Sequence, residues 1–201
     1  MSLGIALAAR SMLVSSDRSA RSLKLWSSGY GGTSIDRVAE EAGFSKGAVY
    51  SNFGSKQDLF LAVMETESHA DLPNLLQQVD RAATVPEVVE VLAEWADARA
   101  RDGDWALLVL EHIQHARKAK TFGDRQAQLF RAHWKALGDT LCGKMQLDVD
   151  AEALGALIFE LAFAPAMGFT SGPKSGTLVR LALSGILAGA NPRHDTKSNP
   201  G

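Results

Sequence analysis

Ser45, Lys46, Gly47 and Tyr50 stand together at the start of a short helical segment, and their types suit one kind of chemistry. Lysine and tyrosine donate hydrogen bonds to anionic oxygens, and a lysine ammonium also reaches the O6 and N7 acceptors of guanine. A glycine between them lets the backbone come close to a partner surface. The Ser45 hydroxyl can take the free N–H groups of the first turn, so that the helix presents its leading residues outward. A second group comprises Glu111, His112, His115 and His133. Glu111 and His115, four residues apart, share a helix face as metal ligands can, but no His-Glu-x-x-His motif accompanies them, and no metal or other cofactor is assigned. His112 falls between Trp105 and Leu108 in the apolar sector of its helix and therefore needs a polar partner inside the protein, either another side chain or a ligand. No nucleophile elbow is present. Gly29-Tyr-Gly-Gly-Thr33 lacks the following lysine and the preceding strand of a phosphate loop, so the reading is not enzymatic.

The elements that must position these residues are helical. Apolar residues recur three and four apart in nearly every segment, and no alternating β-branched run occurs, which predicts an all-α chain of about nine helices. A weak first helix runs from Asp17 to Ser28 and is expected to end at Gly29; Thr33 or Ser34 opens a second, which Gly43 stops after Ala42. A third covers Lys46 to Phe53. Ser55-Lys-Gln-Asp58 caps a longer fourth helix that Pro73 is expected to break or kink. Thr84-Val-Pro-Glu87 is a capping box for a fifth, ending near Arg101. A sixth runs from Trp105 to about Lys118, and a seventh carries the stripe Phe130, Trp134, Leu137, Leu141. An eighth starts near Asp150, a ninth spans Ser175 to Ala190, and the tail 191–201 is expected to lack structure. Within this plan residues 34–53 have helix-turn-helix spacing. Val38, Ala42 and Val49 supply a small core, Ala39 allows a close crossing, and Gly43 can take the positive φ of a tight turn.

Composition bounds the alternatives. At 201 residues with 46% hydrophobic and 22% charged, the chain can bury a core and is not disordered by composition. One cysteine, Cys142, excludes an intrachain disulfide framework and fits a reducing cytoplasm. The uncharged stretch Leu161–Pro173 is too short to span a membrane, so no membrane partner is expected. The net charge of −2 looks unfavourable for a partner rich in phosphate. Residues 1–60, however, hold seven cations against five carboxylates, a balance of +2, which leaves −4 on the remainder. A basic reader on an acidic body would show that sign.

Gly29-Tyr30-x-x-Thr33-Ser34, Val38-Ala39, Ala42-Gly-Phe-Ser-Lys-Gly-Ala-Val-Tyr50, Phe53 and Ser55-Lys56-x-x-Leu59 together closely resemble the DNA-binding domain of the tetracycline-repressor (TetR) family. The likeness covers about Ser28 to Met64. It implies a homodimeric, all-helical transcriptional regulator with a three-helix helix-turn-helix reader, a fourth connecting helix, and a variable bundle for ligand binding and dimerisation. The domains expected are 1–62, 63–190 and the tail 191–201. By the same resemblance Thr33 and Ser34 contact phosphate, Lys46 and Gly47 lie at the leading turn of the recognition helix after Ser45, and Tyr50 donates to phosphate. Asn52 occupies the usual histidine position, and Lys56 matches a lysine that contacts the DNA backbone. Ile35 stands where some members carry a polar base-reading residue. Tyr30 is expected in the reader's core. The first helix departs from the family pattern: only Ala20, Leu23, Leu25 and Trp26 are core-competent there.

Beyond residue 65 the residues themselves carry the reading. Trp95, Trp105, Phe122, Phe130 and Trp134, with His112, are either ordinary core or the lining of a mostly apolar effector pocket. Helices eight and nine are apolar on more than one face, which predicts an isologous dimer interface with Ala162, Ala166, Ser184, Gly185 and Ala188 allowing close approach. The expected function is a ligand-responsive DNA-binding regulator, a repressor on a palindromic operator. A helical small-molecule binding protein with a weakened DNA reader is the alternative.

Overall fold

The computed structural model describes residues 29–41, 43–101, 103–118, 124–163 and 172–190. Among these it has nine helices, in chain order α1 (Gly29–Gly32), α2 (Ile35–Glu41), α3 (Lys46–Phe53), α4 (Lys56–Arg81), α5 (Val85–Arg101), α6 (Gly103–Lys118), α7 (Asp124–Met145), α8 (Ala151–Phe163) and α9 (Ser175–Ala190). The all-α expectation holds, and the ninth helix has the bounds read from sequence. The expected helix over 17–28 and the tail 191–201 lie outside the described residues.

Several helix starts follow from local side-chain chemistry. The Ser34 hydroxyl accepts from the Arg37 N–H at 3.2 Å, that of Ser45 from Ala48 at 3.2 Å, and that of Ser55 from Asp58 at 3.1 Å. At α5 the Thr84 hydroxyl accepts from the Glu87 N–H at 3.3 Å, while the Glu87 carboxylate reaches back to the N–H of Ala83 at 2.7 Å. The box therefore closes one residue earlier than the standard form. The α2–α3 turn is a Schellman-type stop. Gly43 sits at φ +71°, its N–H bonds the Glu40 carbonyl, and Phe44 N–H bonds that of Ala39.

Two expectations about boundaries are corrected. Gly29 to Gly32 are themselves helical, and Pro73 lies inside an unbroken 26-residue α4. The proline removes one N–H, and Leu72 and Leu75 on either side of it are buried.

The larger core joins α4, α5, α7, α8 and α9 through Leu75, Val79, Val88, Leu92, Leu137, Leu141, Ile158 and Leu183. The α7–α8 crossing depends on two glycines. A Cβ at Gly138 would stand 1.6 Å from the Ala151 carbonyl oxygen, and one at Gly155 1.8 Å from that of Trp134. The start of α9 is fixed to α5: the Gly176 N–H, free at the helix end, donates to Asp97 at 2.7 Å, and Arg180 pairs with Glu90 at 2.6 Å. A second core joins the reader to the body. Tyr30, Ile35, Val38, Val49, Leu59 and Phe60 are buried together, with Val109, Leu129, Phe130 and Phe163 packed against them.

Candidate functional site

The reader's outward face is the N-terminal end of α3. Ser45, Lys46 and Gly47 are exposed there, and the large apolar surface of Tyr50 is 44% exposed one turn on. A Cβ built at Gly47 meets nothing within 4 Å, so no neighbour inside the protein requires a glycine. Lys46 lies over the Tyr50 ring at 5.9 Å and forms an ion pair of 2.5 Å with Asp36 of α2. That hydrogen bond, and the carboxylate charge behind it, raise the lysine above its usual range, so it is a cation throughout ordinary pH. At this solvent-exposed position the pair is worth little and can exchange for an anionic oxygen.

Other reader residues are placed less freely than the sequence suggested. Thr33 is buried, only 5% exposed, while Ser34, next to it, is exposed. Asn52 spends an amide N–H on the Ala48 carbonyl at 2.6 Å. Ile35 is buried, which removes it from any base-reading role and fits it to the core. Lys56 points inward. Its Nζ donates to the carbonyl of Tyr30 and lies 4.3 Å from the centre of that ring. Burial lowers its pKa, with Glu111 opposing.

Tyr30 is thereby held from two helices. Its N–H donates to Glu111 of α6 at 2.6 Å, its carbonyl accepts from Lys56 of α4, and its ring meets Phe60 edge-on at 5.3 Å and His112 at 4.9 Å. Burial, reinforced by Asp58, pushes its phenol up to about 12. No local signal marks this clamp, since Glu111 and Lys56 are far from Tyr30 along the chain. Glu111 and His115 do not act as a ligand pair here: Glu111 serves Tyr30, and His115 lies against the Tyr30 ring at 5.6 Å.

The expected effector residues fall into two places. Trp95 belongs to the larger core, where its Nε1–H donates to Asp71 at 3.0 Å beside Arg99 and its ring meets Phe159 edge-on at 5.3 Å. His112 lies instead in the reader–body core, 2% exposed and 4.5 Å from the ring centre of Phe60. Phe130 packs against that same core and stacks on Trp134 at 6.0 Å. Phe122 and the Trp105 side chain lie outside the described residues. The described members of the set are thus divided between the two cores. The sequence reading missed Gln126, which is buried at 4%. The signal was available: Gln126 stands four residues before Phe130 on the apolar stripe of α7.

A small buried helix-turn-helix with an exposed, capped recognition helix defines a DNA-binding protein. Residues 21–63 match the model of bacterial regulatory proteins, tetR family, so this segment is a DNA-binding domain of that type. Three solved structures share the fold over nearly the whole chain. They are a Mesorhizobium loti protein assigned to the TetR-family transcriptional regulators (19% identity, 94% of this chain and 93% of that one, TM-score 0.61), the fatty acid degradation regulator FadR from Bacillus halodurans (16%, 94% and 96%, 0.64), and Salmonella enterica GusR (20%, 93% and 95%, 0.59). No curated protein matches the sequence significantly. Among the described residues no helix is long and apolar enough to cross a membrane.

Proposed function

We propose that this chain is a ligand-responsive transcriptional repressor that binds a palindromic operator as a homodimer. The observation that carries the DNA contact is the open end of α3, where a Cβ added at Gly47 would meet nothing within 4 Å between two exposed side chains suited to phosphate and base edges, Lys46 and Tyr50. Lys46 would leave Asp36 for the groove, and Ser34 with the start of α2 would meet a phosphate. Thr33, Asn52 and Lys56 have lesser roles in this reading, because Thr33 is buried and Asn52 and Lys56 donate within the protein.

The dimer is supported by apolar surface at the chain's end. On α9 Leu181 is 71% exposed and shares a stripe with the exposed small residues Ser184, Gly185 and Ala188, while α8 exposes Leu157. Ala162 is buried within the protomer and takes no part. Pairing two readers places α3 helices one turn of DNA apart, about 34–36 Å. An effector bound in the body would release DNA to the extent that it favours a state with different reader spacing.

Selection of duplexes from a random pool tests the reading. A recovered inverted repeat supports it. Failure to enrich any sequence at moderate salt overturns it in favour of a helical small-molecule binding protein, a reading for which the inward Lys56 and the paired Lys46 speak.

A further inference from the structure

His112 and Gln126 are the two described residues with buried side-chain atoms that find no hydrogen-bond partner, and they are neighbours. Both are more than nine-tenths buried. Gln126 of α7 accepts a hydrogen bond from the His112 imidazole of α6, which leaves two atoms over, the imidazole Nδ1 and the amide Nε2. Burial holds the imidazole neutral, with its pKa lowered to about 4, so the unpaired Nδ1 is an acceptor. The amide Nε2 is a donor. A buried donor and a buried acceptor left unpaired each cost free energy, and a structure retains such a pair where something completes it.

We propose that His112 and Gln126 form the polar end of an effector site at the joint between reader and body, taking an apolar molecule whose head carries a hydroxyl or an undissociated carboxyl group. The proposal rests on the ligand-responsive reading and specifies its site. Such a head group has an O–H to donate to Nδ1 and an oxygen to accept from Nε2. An ammonium has no acceptor, and it would sit in a site that Lys56 already makes positive enough to depress His112 further. The surroundings suit an apolar remainder: Phe60, Val109, Leu129, Phe130 and Phe163 pack in the same core. The charged and titratable groups around the pair are Tyr30 of α1, Lys56 of α4, and Glu111 and His115 of α6. A carboxyl ligand entering from a solution of its anions must therefore take up one proton, whether the proton stays on the ligand or passes to Nδ1. The site also has a route to the reader, because the His112 ring lies 4.9 Å from that of Tyr30, the residue clamped between α4 and α6.

The test uses octanoic acid, octan-1-ol and octylammonium as probes of the full chain, by calorimetry and by the ¹⁵N spectrum of the histidine side chains. The alcohol or the acid is expected to bind and to move the His112 Nδ1 resonance, and octylammonium is not. Octanol affinity should be flat between pH 6 and 8, whereas octanoic acid should weaken about tenfold per pH unit. Gln126→Leu and His112→Phe, which replace the unpaired groups by apolar ones and keep the core filled, should each weaken binding about tenfold while leaving the fold intact. Absence of binding by both oxygen-headed probes, unchanged affinity in both variants, or equal binding of octylammonium each overturns the proposal. If another compound releases the selected DNA equally well from wild type and Gln126→Leu, this site is overturned and ligand response stands. If octanol binds here yet no compound releases DNA, the site stands and the ligand-responsive reading falls.

Discussion

Gly47→Ala separates DNA contact from stability at a single atom. A Cβ at Gly47 meets nothing within 4 Å, so the substitution introduces no clash within the protein. Alanine is also the better helix former, by up to about 1 kcal/mol, less in a first turn. For a chain of this size each kcal/mol corresponds to about 2–4 °C, so the melting temperature should rise by about 1–3 °C. On DNA the sign reverses. A methyl on the leading turn of α3 lifts the helix from the groove and lengthens the contacts made by Lys46 and Tyr50. Losing one charge-assisted hydrogen bond costs about 1.5–3 kcal/mol, roughly tenfold or more for each half-site and about a hundredfold for a dimer. Thermal denaturation by circular dichroism and fluorescence anisotropy on the selected duplex give the two numbers. Gly143→Ala is the control, since it too has open space and lies on α7 away from the reader. If Gly47→Ala binds the duplex like wild type, the placement of α3 against the groove is wrong.

Three other outcomes follow from the geometry. Gly155→Ala should lower the melting temperature by about 5–10 °C, because its Cβ would sit 1.8 Å from the Trp134 carbonyl and the two backbones must part, an overpacking cost of about 2–3 kcal/mol; an unchanged melt would refute the α7–α8 crossing. Lys56→Met should lower stability by removing the donor to Tyr30, yet leave the slope of log affinity against log salt unchanged; a slope smaller by about 1 would instead return Lys56 to the phosphate contacts. His112, held down to about 4 by burial, should make the fold lose stability on acidification. The unfolded chain takes up a proton near pH 6.5 while the folded one resists, so between pH 6.5 and 5 up to about 2 kcal/mol should go, and His112→Phe should flatten that part of a urea-denaturation profile.

Local chemistry was the legible part of this chain. Ser45, Ser55 and Thr84 cap as their spacing indicates, and Gly43 takes the positive φ its position demands, because each interaction is completed within a few residues. What escaped the sequence was decided by distant partners. Helix α1 forms on a stretch with three glycines because Glu111 and Lys56 hold the backbone of Tyr30. Pro73 fails to break α4 because the body core fixes the helix on both sides. Lys56 and Thr33 have residue types that suit phosphate, but packing turns their side chains inward. The periodicity of α6 placed His112 in the apolar sector without revealing that α1 and α4 form its walls.

Helix α4 is a rod with one end in each half of the molecule. From Lys56 to Pro73 it is about 26 Å long at 1.5 Å per residue. Beyond the proline it is seated in the body by Leu75 and Val79. Pivoted at Pro73, where one backbone bond is already missing, a tilt of about 5° moves the Lys56 end by about 2 Å and carries the reader with it. Two such arms in a dimer would change the separation of their tips by up to twice that amount. The mechanical gain lies in the length of an uninterrupted helix, so in such a dimer displacements too small to disrupt any packing near the pivot would reach a bound DNA as a change in span.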